Sequence, residues 1–114
     1  MVRSHRDLYV WQRSIQLVKE IYRISNAFPD SERYGLASQI SRAAISVPAN
    51  IAEGNARGTR RDYAQFISIA RGSLAEVETY LIIAVELGYV SNNEIKPVNR
   101  EIDEIGRMLT ALRT

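Results

Sequence analysis

Arg57, Arg60 and Arg61 fall within five positions of one another, and their chemistry is that of an anion receptor. Guanidinium groups are planar forks of donors that match the oxygens of phosphate or carboxylate two at a time. The cluster lies where a second helix is expected to give way to a third, so the unpaired backbone donors that open the third helix add to the same character. Tyr63 follows closely and offers an aromatic face, although its spacing also fits a core. Arg3 and Arg6 bring two further guanidinium groups near the N-terminus. The chain holds thirteen Arg and only two Lys at a formal net charge of +2. Residues 1–62 carry ten basic and six acidic side chains, whereas the remainder is net acidic.

A second polar feature is linear. Gln39, Arg42, Ser46, Asn50, Glu53, Arg57 and Arg61 recur at intervals of three or four, which places them in one line on a helix. Glu53 and Arg57 form an i,i+4 pair of the favourable orientation. The middle of the line, Arg42, Ser46, Asn50 and Glu53, admits three readings: a solvated face, a hydrogen-bonded network at an interhelix or subunit contact, or a ligand site. Ser and Asn weaken a helix interior unless their side chains are bonded elsewhere, which separates the second reading from the first.

Other chemistries lack their residues. There is no Cys and His5 is the lone His, so neither a thiolate site nor a nucleophile with a histidine base can be assembled. Glu-x-x-His pairs are absent, Glu76 and Glu78 cannot share a helix face, and Gly54 and Gly58 have no accompanying Lys to make a phosphate loop. We therefore expect no enzyme, metal or cofactor. The lack of Cys, of an apolar leader and of a long apolar run fits a cytoplasmic protein without a membrane segment.

Four helices are needed to position these groups. The first starts at Leu8 with Asp7 as N-cap and ends at Phe28-Pro29, with Leu8, Trp11, Ile15, Val18 and Tyr22 as its core stripe. The second starts near Asp30 or Ser31 and buries Leu36, Ile40, Ala43, Val47 and Ile51, a single long helix kinked near Pro48. Thr59 and Asp62 resemble a capping box for the third, which buries Tyr63, Phe66, Ala70, Leu74, Val77, Leu81 and Ala84 and closes at Gly88. Ser91 and Glu94 cap the fourth, which buries Ile95, Val98, Ile102, Ile105 and Leu109. No strand alternation occurs, and the 114 residues fit one domain. Short connections make this an all-α, up-down-up-down antiparallel four-helix bundle.

Two helices carry surplus apolar side chains. The first has a second line through Val10, Leu17, Ile21, Ile24 and Phe28, and the third has one through Ile69, Tyr80, Ile83 and Leu87. Soluble monomers rarely expose such patches. Contact between copies is expected at Leu17, Ile21, Ile24, Ile69, Tyr80 and Ile83, the rival being that broad stripes face two neighbours inside one bundle.

The sequence also resembles a known family. The matching residues are Asp7-Leu8, Trp11, Phe28-Pro29, Tyr34-Gly35-Leu36, Gln39-Ile40, Arg42-Ala43-Ala44, the run Ser46–Gly54, Arg57, Ala70-Arg71-Gly72-Ser73-Leu74 and Leu87-Gly88-Tyr89. Together these are similar to the bacterial proteins encoded within 23S rRNA intervening sequences, a fold family that includes the accessory variability determinant of diversity-generating retroelements. The resemblance implies four-helix bundles assembled as barrel-like pentamers. For the retroelement member it implies binding of nucleic acid and a reverse transcriptase through a basic surface. The expected function is thus a non-enzymatic homopentamer that associates with RNA or DNA through Arg57, Arg60, Arg61, Arg3 and Arg6. A protein-interaction adaptor with no nucleic-acid contact is the alternative.

Overall fold

The computed structural model describes residues 4–113. Four helices account for most of them: α1 (Tyr9–Ser25), α2 (Leu36–Ala56), α3 (Arg60–Glu86) and α4 (Asn92–Arg113). Short 3-10 turns at His5–Asp7 and Asp30–Glu32 precede α1 and α2. Each helix packs against the next and α4 closes on α1, while among the described residues the backbones of the diagonal pairs stay apart. The bundle measures 43 × 25 × 18 Å. Among the described residues, no helix is long and apolar enough to cross a membrane.

The helix ends follow local chemistry. Thr59 accepts a hydrogen bond from the Asp62 amide at 3.1 Å to open α3. Ser91 and Glu94 exchange side-chain and backbone bonds at 3.1 and 3.0 Å, a complete capping box for α4. Gly88, at φ 79°, ends α3 in the left-handed region. The Tyr89 amide then donates to the Ala84 carbonyl and the Gly88 amide to the Val85 carbonyl, both at 2.9 Å, satisfying carbonyls the helix would otherwise leave open. Pro97 lies in the second turn of α4, so the Asn93 carbonyl has no intrahelical donor there.

Two starts differ from expectation. Asp7 does not cap α1: it belongs to the 3-10 turn, and Leu8 occupies the N-cap with no side-chain bond. α2 begins at Leu36, because Asp30–Glu32 forms its own turn and Glu32 Oε1 then accepts from the Leu36 amide at 2.9 Å. The other Glu32 oxygen accepts from the Tyr89 hydroxyl at 2.7 Å, tying the α1–α2 turn to the α3–α4 turn. From Leu36, α2 runs through the buried Pro48 without a break.

The core corrects the reading of α1. Leu17, Ile21 and Ile24, expected between copies, are 1%, 0% and 5% exposed within the single chain. They form the core with Val10 and Phe28, while Leu8, Trp11, Ile15 and Val18 are only half-buried and Tyr22 is exposed. The two lines sit side by side on the helix, and periodicity cannot choose between them. Ser14 interrupts the buried line in sequence, yet its hydroxyl donates to the Trp11 carbonyl at 2.7 Å and so enters the core satisfied. Helix α3 follows expectation in its middle and end, where Ala70, Leu74, Val77, Leu81 and Ala84 are buried; at its start Tyr63 and Phe66 are only half-buried, and Ile67, outside the expected line, is fully buried in their place.

Candidate nucleic-acid interface

α2 and α3 meet along a seam that the polar line borders. Gly54 is buried at a close approach of the two helices: a Cβ there would sit 2.9 Å from Phe66 Cβ and 3.3 Å from the Tyr63 carbonyl oxygen. One turn back, Asn50 Nδ2 donates to both the carbonyl and the hydroxyl of Ser46, each at 2.8 Å. The Ser46 hydroxyl lies 2.8 Å from that of Ser73, which is 6% exposed. This is an interhelix network, the second of the three readings, and the chemistry of Ser46 and Asn50 is spent inside it. Ser73 completes the network; it lies three residues after Ala70 and four before Val77, on the buried stripe of α3, and spacing alone does not distinguish it from a core position.

Glu53 and Arg42 do not join that network. Glu53 pairs with Arg57 at 3.1 Å, both side chains half exposed, so the pair contributes little by itself. Arg57 also lays its guanidinium 4.9 Å from the centre of the Phe66 ring. That stacking holds the fork flat at the end of α2. Arg42 is exposed and lines a groove on the α1 side of α2 instead.

Antiparallel packing gathers five arginines at one end. There α2 ends, α3 begins, the N-terminal 3-10 turn packs on α2, and α4 finishes. Arg6, Arg57, Arg60, Arg61 and Arg113 are all exposed there. Arg60 and Arg113 flank a shallow cavity of about 370 Å³, whose wall includes Tyr63, Ala64 and Leu112. Tyr63 is half-buried against the core, and burial pushes its phenol pKa up. Arg113 was absent from the sequence expectation, yet the up-down topology itself brings the end of α4 beside the start of α3. Arg3 lies outside the described residues.

One arginine is committed elsewhere. Arg13 on α1 donates to Glu101 and Glu104 on α4, with bonds of 3.0 Å from Nε to Glu101 and 2.6 Å from a terminal nitrogen to Glu104, plus a very short contact to the second Glu101 oxygen. These bonds, Glu101 first, raise the Arg13 pKa further, and the bond from Arg13 lowers that of Glu104.

Residues 6–111 match the profile of the 23S rRNA-intervening sequence protein family. The chain belongs to this family. It is also similar in structure to a crystallised protein of unknown function from the S23 ribosomal protein family of Bacteroides thetaiotaomicron. The TM-score is 0.84 at 22% identity, covering 92% of this chain and 98% of that one. At that identity the likeness is one of fold. No curated protein matches the chain. Neither the family description nor that of the neighbour names an enzymatic activity.

In this 23S rRNA-intervening sequence family member, the run Ser46–Gly54 has a packing explanation. Val47 and Ile51 are fully buried, Ser46 and Asn50 bond at the seam, and Gly54 allows the close approach. What packing does not explain is the outer face of α3. Ile69 and Ile83 remain 44% and 38% exposed in the single chain, with Ile82 and Leu87 also exposed, whereas Tyr80 is half-buried against the core.

Proposed function

We propose that the protein is a non-enzymatic bundle that assembles with copies of itself and binds the backbone of RNA or DNA through its arginine-rich end. The observation that carries this reading is the convergence of Arg6, Arg57, Arg60, Arg61 and Arg113 at one end of the bundle. The described acids there are Asp7, Asp62 and Glu53, the last already paired with Arg57, so the end is net positive. The start of α3 adds its positive dipole end to the cluster. Self-assembly uses Ile69 and Ile83 on the outer face of α3, and the pentameric ring implied by the family resemblance would repeat the arginine end five times, multiplying weak contacts along one strand.

Fluorescence anisotropy with a labelled oligonucleotide across a salt series tests the binding. Affinity should fall steeply with salt, and R60A/R61A/R113A should weaken binding of all sequences alike and flatten the salt slope by roughly 2 in log–log units, about 0.7–0.9 per lost phosphate contact. No binding at low salt, or an unchanged slope, refutes it. For assembly, light scattering should show a multimer that I69E/I83E dissociates. A monomeric native protein at micromolar concentration ends that part of the proposal.

A further inference from the structure

Far from the arginine end, the α1–α2 turn forms a second surface with a different composition. Tyr34, on the turn itself, is 90% exposed, and Tyr22, near the end of α1, is 49% exposed. Both line one open groove of about 430 Å³ with Arg33 and Arg42. Neither guanidinium group forms a hydrogen bond or ion pair with another described residue. The acid lining the groove is Asp30, while the neighbouring Glu32 spends both oxygens on the Leu36 amide and the Tyr89 hydroxyl. Two exposed aromatic rings and two guanidinium groups, against one carboxylate, thus share one hollow of the size that holds a small ligand. Stable packing gives little reason for this: the Tyr34 ring is almost wholly in water, the Tyr22 ring half so, and two like charges lining one groove repel.

The pairing suits one kind of ligand. Unstacked nucleobases gain by lying on aromatic rings whatever their sequence, and the phosphates beside them need cations. A duplex keeps its bases stacked on one another and cannot offer them to a tyrosine. We propose that the groove between the end of α1 and the start of α2 is a binding site for unpaired nucleotides, with Tyr22 and Tyr34 as stacking faces and Arg33 and Arg42 as phosphate contacts. The site deepens the nucleic-acid reading above and rests on it for its polymer. It lies about 30 Å from the arginine end, the length of α2 at 1.5 Å per residue, within reach of one extended single strand; a duplex, its bases paired and stacked, engages only the arginine end.

The test uses the full chain and two labelled RNAs, a uridine-rich 12-mer single strand and a duplex of equal length, in low salt. The native protein should bind the single strand more tightly. Y22A/Y34A should lose roughly five- to a hundred-fold in single-strand affinity and leave duplex affinity unchanged. Y22F/Y34F, which keeps the rings, should bind as the native protein does, and circular dichroism should show every variant folded. R33A/R42A should weaken the single strand and lower its salt slope. Equal affinity for both RNAs, or a Y22A/Y34A protein that binds the single strand normally, overturns the groove and leaves the arginine end standing. A loss confined to the groove variants, with R60A/R61A/R113A binding normally, supports the groove and refutes the arginine end. Binding of neither RNA overturns both.

Discussion

Replacing Gly54 by alanine should destabilise the bundle even though alanine is the better helix former. The added Cβ would stand 2.9 Å from Phe66 Cβ and 3.3 Å from the Tyr63 carbonyl oxygen. Carbon atoms pack best at about 3.5–4.0 Å, and neither neighbour is the free end of a flexible side chain. α2 and α3 must therefore move apart by roughly half an ångström or more. Overpacking of this kind costs about 1–3 kcal/mol, against a helix-propensity gain of about 1 kcal/mol. Gly72→Ala is the internal control, because a Cβ at that exposed position of α3 meets nothing within 4 Å. It receives the same gain without the clash and should be more stable than the native protein by about 0.5–1 kcal/mol. The difference between the two variants cancels the shared gain and isolates the clash, about 1–3 kcal/mol. For a chain of this size that is roughly 4–12 °C in Tm. Urea unfolding followed by circular dichroism, at one fixed protein concentration to hold any assembly constant, measures both. Gly54→Ala as stable as Gly72→Ala would refute the close-packed seam.

Other substitutions probe the same seam and the turns. Ser73→Ala leaves Ser46 bonded to Asn50 and should cost about 1 kcal/mol, whereas Ser46→Ala removes the shared centre and should cost more, about 1–3 kcal/mol; equal costs in urea melts would mean the three do not act as a network. Arg13→Ala should cost about 1 kcal/mol, since the pairs it breaks are partly exposed. The deficit should shrink as salt screens the bared Glu101 and Glu104 from each other, and a salt-independent deficit would contradict that origin. Glu32 has its pKa lowered first by the Leu36 amide and then by the Tyr89 hydroxyl, and Glu104 by Arg13. A carboxyl whose folded pKa lies below its unfolded value, near 4.3, stabilises the fold above that value. Its contribution is lost as pH falls through the folded pKa. Melting temperature should drop with acid below about pH 4.3, and Glu32→Gln should flatten that decline; an unchanged acid limb counts against the assignment.

These predictions rest on features of unequal visibility. The helix signals at Thr59, Ser91 and Gly88 are readable from sequence because each cap is completed within a few residues of itself. The stripe on α2 is readable for the same reason, since a periodic line with no competitor has one way to face inward; on α3 the longer line from Ala70 to Ala84 is buried and the shorter one through Ile69, Ile83 and Leu87 is not. α1 had two competing lines, and the neighbours chose. The line with Ser14 could be buried because a local carbonyl satisfied the hydroxyl, which left Trp11 and Tyr22 toward the rim.

From the order of its residues alone the chain determines four helices, the caps that open α3 and α4 and close α3, their antiparallel sequence and a cluster of arginines at one junction. Tertiary structure decides which arginines stay available: Arg13 is drawn to α4, Arg57 is laid on Phe66, and Arg6 and Arg113 join the junction from the chain's two ends. It also decides that Ser46 finds Ser73, that Glu32 finds Tyr89, and that two tyrosines and two arginines border one groove. The division is physical. Periodicity and capping act over one or two turns and are written in neighbouring residues, whereas a contact between side chains dozens of positions apart exists only once packed helices have fixed which faces meet.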